Sequence, residues 1–455
     1  MRNARARSSA GAALPRGLSR RSLVQAGGGL SLAAVLPLAA CGTGGGTTGG
    51  KTPIRFLYAT GDETWNTVAK AVADAFNAQS ATAVVELDPL PAGSDYATAM
   101  KTMDATGNWP ALVDMRDTAT YLEAGKLAPI PAEVTDLLNE EVYAPSEDGE
   151  VYIVPTTALN GELGFNIVYD KDYFVEHGLA VPATYAEFIA LLDAVRSNGD
   201  GALATAAGEV WPSDQLWKPL AAPWFARYDE AGGFWNAVAA GEASIEDLRE
   251  PLERLKTITD EYVIEGWQST QDAQTSTLLV NGQAVMATSS AGIGRLNDIA
   301  KVDPGFNAGI FAVPADDGAL HVLKNSVNGD TASGFAISAQ AREDGRQYDA
   351  AVEFLKFYFA VGTCDLMEEQ GMIAPNIEAA DQIRRNDSIP GAADYFALLE
   401  NPDLTWFQND SAMPAFSTFN TFFRQARIEM QDGQTTLDEC IAKTQEEFEN
   451  LAAEG

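Results

Sequence analysis

Histidine is nearly missing from this chain, and with it most arrangements that would put an imidazole to work. There are two among 455 residues, His177 and His321. No H-E-x-x-H, G-x-S-x-G or G-x-x-x-x-G-K-[ST] occurs, so a zinc helix, a hydrolase elbow and a phosphate loop are all unsupported. Cysteine is almost as scarce. The three present, Cys41, Cys364 and Cys440, cannot make a disulfide framework, so stability must come from ordinary cores. Positive charge is the third shortage. Thirty Lys and Arg stand against 64 Asp and Glu, a formal charge of −34, which excludes nucleic acid and anionic lipid as partners.

The chain also lacks an unbroken apolar run of the ~20 residues that a membrane-spanning helix needs. Its best stretch, Leu23 to Ala40, is interrupted by Gln25, Gly27-Gly28-Gly29, Ser31 and Pro37. Six arginines and no acid precede or begin that stretch, and it ends in Leu38-Ala39-Ala40-Cys41. A basic region, an apolar region and a small-residue cleavage site predict a cleaved export signal over 1–40. The tetrad resembles the lipobox of bacterial lipoproteins, which makes Cys41 the expected lipid-bearing first residue. Ser19-Arg20-Arg21-Ser22-Leu23-Val24 is similar to a twin-arginine signal. Gly42 to Gly50 are all Gly or Thr, so 41–50 reads as a flexible tether spanning ~15–18 Å. Without the leader, 24 Lys and Arg remain against 64 Asp and Glu, a net charge of −40.

What is present is enough apolar material for large cores, 46% of all residues. The 415 residues after the leader exceed what one core normally serves, so two lobes are expected. Short apolar strands alternate with amphipathic helices. Ile54–Tyr58 reads as a strand, Trp65, Val68, Val72 and Phe76 as one helical face, and Val84–Leu87 as the next strand. Ala111–Met115, Tyr152–Val154, Gly164–Tyr169 and Ala284–Thr288 read as further strands, with a helix closed by Gly125 after the first of them. Ile245 to Tyr262 predicts a long helix interrupted at Pro251, and Ala351–Phe359 a buried one. Leu437, Cys440, Ile441, Thr444, Phe448 and Leu451 form one stripe of a final helix, which explains Cys440 as core. The alternation predicts an α/β fold with largely parallel sheets.

Seven tryptophans stand in polar, loop-like settings: Trp65, Trp109, Trp211, Trp217, Trp224, Trp267 and Trp406. Sugar rings suit such a mixture, because their apolar faces stack on aromatic rings while carboxylates and amides take the hydroxyl hydrogen bonds. Among 64 acids, some carboxylate pair will also match the ~5–9.5 Å of a glycosidase. An extracytoplasmic carbohydrate-active hydrolase is therefore the rival reading.

Several segments together resemble the extracellular solute-binding proteins of ABC importers, in particular the branch that binds sugars. The most specific is Tyr169-Asp170-Lys171-Asp172-Tyr173-Phe174, then His177-Gly178-Leu179, Val181-Pro182-Ala183-Thr184-Tyr185 and Glu187-Phe188. It is similar to Y-N-K-D-x-F…G-L…P-x-T-W-x-E-F, with Asp170 and Tyr185 replacing Asn and Trp. Trp109-Pro110-Ala111-Leu112-Val113, Tyr121 to Leu127, and Gly282-Gln283-Ala284-Val285-Met286 add weaker likenesses in the same order.

The resemblance implies a periplasmic-binding-protein-like fold, with two lobes, each a mostly parallel sheet between helices, hinged by crossing strands. It implies lobes of 51–155 with 333–375, and 156–332 with 376–455, crossing near Ile153–Thr156, Ser333–Ile337 and Ile373–Pro375. Cys364 and Cys440 then belong to different lobes and are expected to stay unpaired. Ligand is expected at loops that follow strand ends. The candidates are Asp62, Glu63, Arg116 and Asp117 from the first lobe, and Glu209, Trp211, Ser289 and Ser290 from the second. Asp330 and Phe419 complete the set. The implied ligand is a mono- or oligosaccharide, with a non-sugar small solute as the alternative, delivered to an ABC permease. No enzyme activity, cofactor or metal is implied. The protein is expected to be a monomer on the outer face of the cell membrane, held by its lipid alone.

Overall fold

The computed structural model describes residues 50–60, 63–90, 96–138, 142–157, 164–290, 292–324, 333–370, 372, 374–375, 388–408 and 416–454. Cys41, Asp62 and Asp330 lie outside the described residues, as does Ile373 at the third expected crossing.

Two mixed sheets organise these residues. The first contains β1 (Thr52–Ala59), β2 (Ala83–Leu90), β3 (Leu112–Met115), β4 (Leu127–Ala128) and β10 (Gly334–Ser338), in the order β2-β1-β3-β10-β4. The second contains β5 (Asn166–Asp170), β6 (Leu203–Ala204), β7 (Met286–Ser289) and β8 (Ala308–Phe311), in the order β6-β7-β5-β8. A parallel pair, β9 (Leu320–Lys324) with β11 (Leu404–Gln408), packs beside the second sheet. In each large sheet one strand runs against the rest. It is β10 in the first, antiparallel to β3 and β4, and β5 in the second, antiparallel to β7 and β8. Each reversed strand follows a point where the chain has left the other sheet, so it enters from the opposite side. The remaining strands of each sheet share one direction, as the α/β reading expects.

Neighbouring residues of one strand feed different cores, because successive side chains point to opposite faces. Phe56 and Tyr58 join Val68, Val72, Phe335 and Phe354, while Leu57 joins Met100, Val113 and Ala336. In the second sheet Ile167 and Met286 meet Trp217 and Phe225, whereas Val168 and Ala287 meet Leu296 and Tyr395. Both sheets are thus covered on both faces, which is why their strands read as continuous apolar runs rather than alternating ones.

Three local readings need correction. Tyr152–Val154 is not a strand; Val154 makes only an isolated antiparallel bridge with Phe335. Its N–H donates to the Phe335 carbonyl at 3.1 Å and its carbonyl accepts at 2.7 Å, joining the outgoing and returning segments. A Cβ on Gly334 would sit 2.2 Å from the Val154 carbonyl oxygen, so that close approach requires glycine. Pro251 does not interrupt a helix. A 3₁₀ turn spans Ile245–Leu248 and the α-helix starts at Arg249, so Pro251 falls in a first turn, where the missing N–H costs nothing. The strand expected at Ala284–Thr288 begins only at Met286 and extends through Ser289.

The segment that carried the resemblance is a pair of helix starts. Asp170 caps the helix Lys171–His177 by accepting from the N–H groups of Asp172 and Tyr173, and Gly178 closes it in the left-handed conformation. Thr184 caps Tyr185–Ser197 by accepting from Glu187 N–H, and the Glu187 carboxylate returns to Ala183 N–H at 2.8 Å. Asp in place of Asn keeps the cap. Tyr185 in place of Trp still offers a ring, over which the Arg254 guanidinium stacks at 4.0 Å. Cys364 and Cys440 are buried in separate cores and are not joined by a disulfide.

Candidate ligand cleft between the two sheets

Register alone brings the candidate loops together. In the first sheet Leu57 pairs with Val113, so β1 and β3 end side by side and the residues after them are neighbours. In the second, Ala204 pairs with Ala287, which sets the loops after β6 and β7 together. The two sets of loops face each other. Thr64, in the first turn of the helix Glu63–Gln79 after β1, donates to the Asp298 carboxylate at 3.0 Å, on the helix Ile293–Val302 after β7. Asn297 of the same helix donates to the Gln370 carbonyl at 2.9 Å, a second bridge between the sheets' domains.

On the first wall, Arg116 is half exposed and its guanidinium pairs with Asp114 at 2.9 Å. Asp114, 4% exposed, also accepts from Ala59 N–H at 3.4 Å, which ties β3 to the end of β1. Tyr96 donates its phenol proton to the Asp114 carbonyl and accepts from Arg116 N–H. Its burial, with Asp114 beside it, raises the phenol well above the ordinary range. Asp117 precedes the helix Thr118–Glu123, accepts from the Thr120 hydroxyl at 2.9 Å, and is pushed up by burial. This wall offers an arginine fork beside carboxylates, which can serve both lone pairs and protons of a hydroxyl. Glu63 begins its helix here.

The second wall is a connected polar network. The Glu209 carboxylate accepts from Asp272 N–H at 2.8 Å. Asp272 is ion-paired with buried Arg295, and accepts at 2.6 Å from Gln215, whose amide also donates to the Ser290 hydroxyl at 3.2 Å. Thr288 donates to the other end of Gln215 at 3.0 Å and lies 3.1 Å from the Thr205 hydroxyl. Glu209 and Ser290, 81 positions apart, are therefore linked through Asp272 and Gln215. Burial lifts the Glu209 carboxyl above its usual range, opposed by the Asp272 N–H. Trp211 opens a 3₁₀ turn leading into the helix Asp214–Phe225 and stays partly exposed.

Below Trp211, buried Asp214 accepts from Arg427 at 2.5 Å and pairs with Arg424 at 2.7 Å and Lys218 at 3.7 Å. Burial alone would raise its pKa, but the three cations outweigh that and hold the carboxyl well below the ordinary range. The Arg427 guanidinium, itself buried, lies 4.9 Å from the Trp217 ring and 4.6 Å from that of Phe423. A guanidinium keeps its proton inside proteins, so both members of the pair are charged.

Two sequence candidates are misplaced. Phe419 is fully buried among Trp235, Phe416, Phe423 and Phe448 and is a core residue of the second lobe. Ser289 is likewise fully buried, inside β7 opposite Asn166; only Ser290 reaches the loop. Of the tryptophans singled out, Trp65, Trp217, Trp224 and Trp267 are core, and Trp109, Trp211 and Trp406 keep some exposure. The sequence reading missed Asp114, Tyr96, Gln215, Asp272 and Arg295, since nothing local marks residues whose long-range partners are 18 to 75 positions away. Among the described residues, no cluster of His, Cys, Asp and Glu suits a metal ion, and no helix is long and apolar enough to cross a membrane. A groove of about 590 Å³ lined by Ser244, Glu246, Arg249 and Asp438 contains none of the candidates.

The sequence profile of a family described as bacterial extracellular solute-binding protein matches residues 71–390. The chain belongs to that family. As an extracellular solute-binding protein it works outside the cytoplasm. A multiple sugar-binding protein of Streptococcus mutans is 24% identical over 332 residues, 70% of this chain and 74% of that protein. Among solved structures, a chitin oligosaccharide binding protein is similar with a TM-score of 0.72 at 19% identity, covering 89% of this chain and 99% of its own. A sugar transporter protein from Bacillus licheniformis in complex with stachyose gives 0.70 at 15%, covering 88% and 100%. These likenesses extend over both sheets and give the fold as the periplasmic-binding-protein-like one.

Proposed function

We propose that this solute-binding protein captures a carbohydrate, an oligosaccharide in preference to a single ring, between the two walls and passes it to an ABC permease. The observation that carries the reading is the second wall. There a partly exposed tryptophan stands two residues from a carboxylate that is tied to a buried network, and it opens the turn that leads into buried Asp214. Trp211 supplies a stacking face, Glu209 and Ser290 accept and donate hydroxyl hydrogen bonds, and Arg116 with Asp117 close from the opposite side. Glu63, and Asp62 and Asp330 beyond the described residues, are assigned to the same cleft. The named relatives and neighbours are proteins of saccharides, which favours a sugar over another small solute.

In this reading 51–155 with 333–375, and 156–332 with 376–455, are two lobes that close about the paired segments at Val154 and Phe335. Chemistry is not part of the task. The protein acts as a monomer, tethered through lipid on Cys41 by residues 42–50 after removal of 1–40.

A thermal-shift panel of mono- and oligosaccharides tests the ligand class. A ligand at ~100 times its dissociation constant stabilises the native state by ~2.7 kcal/mol. A transition that moves with another solute and with no saccharide overturns the sugar assignment. Release of shortened sugars would instead show an enzyme. Mass spectrometry of membrane-bound protein tests the anchor, and a mature chain that does not start at a modified Cys41 refutes it.

A further inference from the structure

The strained backbone in the second wall sits between its two principal ligand candidates. Val210 has φ 66° and ψ −56°, and it is one of two non-glycine residues with positive φ among those described. The Trp211 N–H donates to the Glu209 carbonyl at 2.8 Å, so Glu209-Val210-Trp211 is a γ-turn of the rare positive-φ form. A β-branched residue is among the least suited to it, because its Cβ substituents crowd the backbone that glycine would leave open. Core packing does not explain the choice, since Val210 is only half-buried.

Such a conformation persists only where its surroundings over-determine it. Here they do so on both sides. Ala207 N–H donates to the Trp267 carbonyl at 3.0 Å and Gly208 N–H to that of Thr270 at 2.9 Å. A Cβ on Gly208 would lie 2.9 Å from the Ser269 carbonyl oxygen, so the two segments are in direct backbone contact. The Glu209 carboxylate is tied to Asp272 N–H. Downstream, Ser213 N–H returns to the Val210 carbonyl at 3.1 Å, and Asp214 is locked by Arg427 and Arg424. The turn is a short stiff span between two fixed points.

We infer that Val210 is a positioning residue for the saccharide site: its strained γ-turn fixes the Glu209 carboxylate and the Trp211 ring relative to each other, without itself touching ligand. This rests on the carbohydrate reading above. Two functional side chains flanking one stiff residue lose less freedom on binding, which improves affinity with no added contact. Glycine would relieve the strain and release that constraint.

The test is calorimetric titration of wild type, V210G, V210I, W211A and V210G/W211A with raffinose, stachyose and chitotriose, alongside thermal melts without sugar. With whichever of these sugars wild type binds, V210G should weaken binding roughly tenfold while melting no lower than wild type, and V210I should stay within roughly twofold. In the W211A background V210G should add no further loss, because Val210 acts through Trp211; a general structural effect would add. Wild-type affinity in V210G, or full additivity in the double variant, overturns the inference. If wild type binds none of the three, it is the oligosaccharide reading that falls, and the inference with it.

Discussion

Two aromatic residues that look alike in sequence separate by burial. Trp211 is partly exposed beside Glu209, whereas Phe419 is enclosed by Trp235, Phe423 and Phe448. Trp211→Ala should therefore cost affinity and little stability, roughly tenfold in saccharide Kd, as loss of a stacking face of ~1–1.5 kcal/mol implies. Phe419→Ala should do the reverse, lowering unfolding free energy by about 3–5 kcal/mol in urea melts. Equal destabilisation by both would place Trp211 in the core as well. Glu209 gives the second wall its pH dependence. Its folded carboxyl titrates above the ordinary 4.5 because burial penalises the charge. The ionised form is the hydroxyl acceptor, so affinity should decline as pH falls through that raised value, starting at higher pH than an exposed glutamate would give. Glu209→Gln should bind more weakly at pH 7 and flatten the profile. An unchanged profile in that variant would assign the titration elsewhere.

Elements, more than single residues, were legible beforehand. The helix stripe Leu437, Cys440, Ile441, Thr444 and Phe448 is readable because its period records which face is buried, and the strand at Ile54–Tyr58 because it is a short apolar run covered on both faces. Val154 was misread because three apolar residues in a row mark a bridge as well as a strand. Pro251 was misread because proline at a helix start and proline inside a helix look the same until the first turn is located. The loop after β3 could be chosen from a strand end, and Glu209 with Trp211 from the resemblance, but Asp272 could not, since the backbone hydrogen bonds of Ala207 to Trp267 and of Gly208 to Thr270 bring it to Glu209 across 63 positions. The helices Asp214–Phe225 and Phe416–Gln431 are joined by a buried ion pair for the same long-range reason. Removing one partner leaves the other charge buried and unmatched, so Asp214→Asn should destabilise by about 3–5 kcal/mol in chemical denaturation. The Asp214 pKa is depressed in the fold, so this stability is present above the carboxylate's unfolded value and is lost as pH falls toward the depressed one. A loss below ~1 kcal/mol would mean that the pair is screened by water.

For the whole molecule, the main question is how the two lobes meet. The helix Ile293–Val302 reaches the first lobe twice, through Asp298 to Thr64 and through Asn297 to the Gln370 carbonyl. Neither bond needs ligand, so together they bias the lobes toward closure. The bond to the carbonyl is worth ~0.5–1.5 kcal/mol and the one to the carboxylate ~1.5–3 kcal/mol. Thr64→Val with Asn297→Ala should shift the ligand-free population toward the open form, seen as a larger radius of gyration in solution scattering, and should speed ligand release severalfold. Scattering identical to wild type would show that these contacts do not hold the lobes. The excess of 64 acids over 30 bases reads as a solvated surface. The central claim is that the two walls form one carbohydrate site. Isothermal titration of the folded protein with raffinose, stachyose and chitotriose tests it most directly. One saturable site for at least one of them, weakened by both Trp211→Ala and Arg116→Ala from opposite walls, is the expected result. Absence of heat with every saccharide, or binding that neither substitution changes, would contradict it.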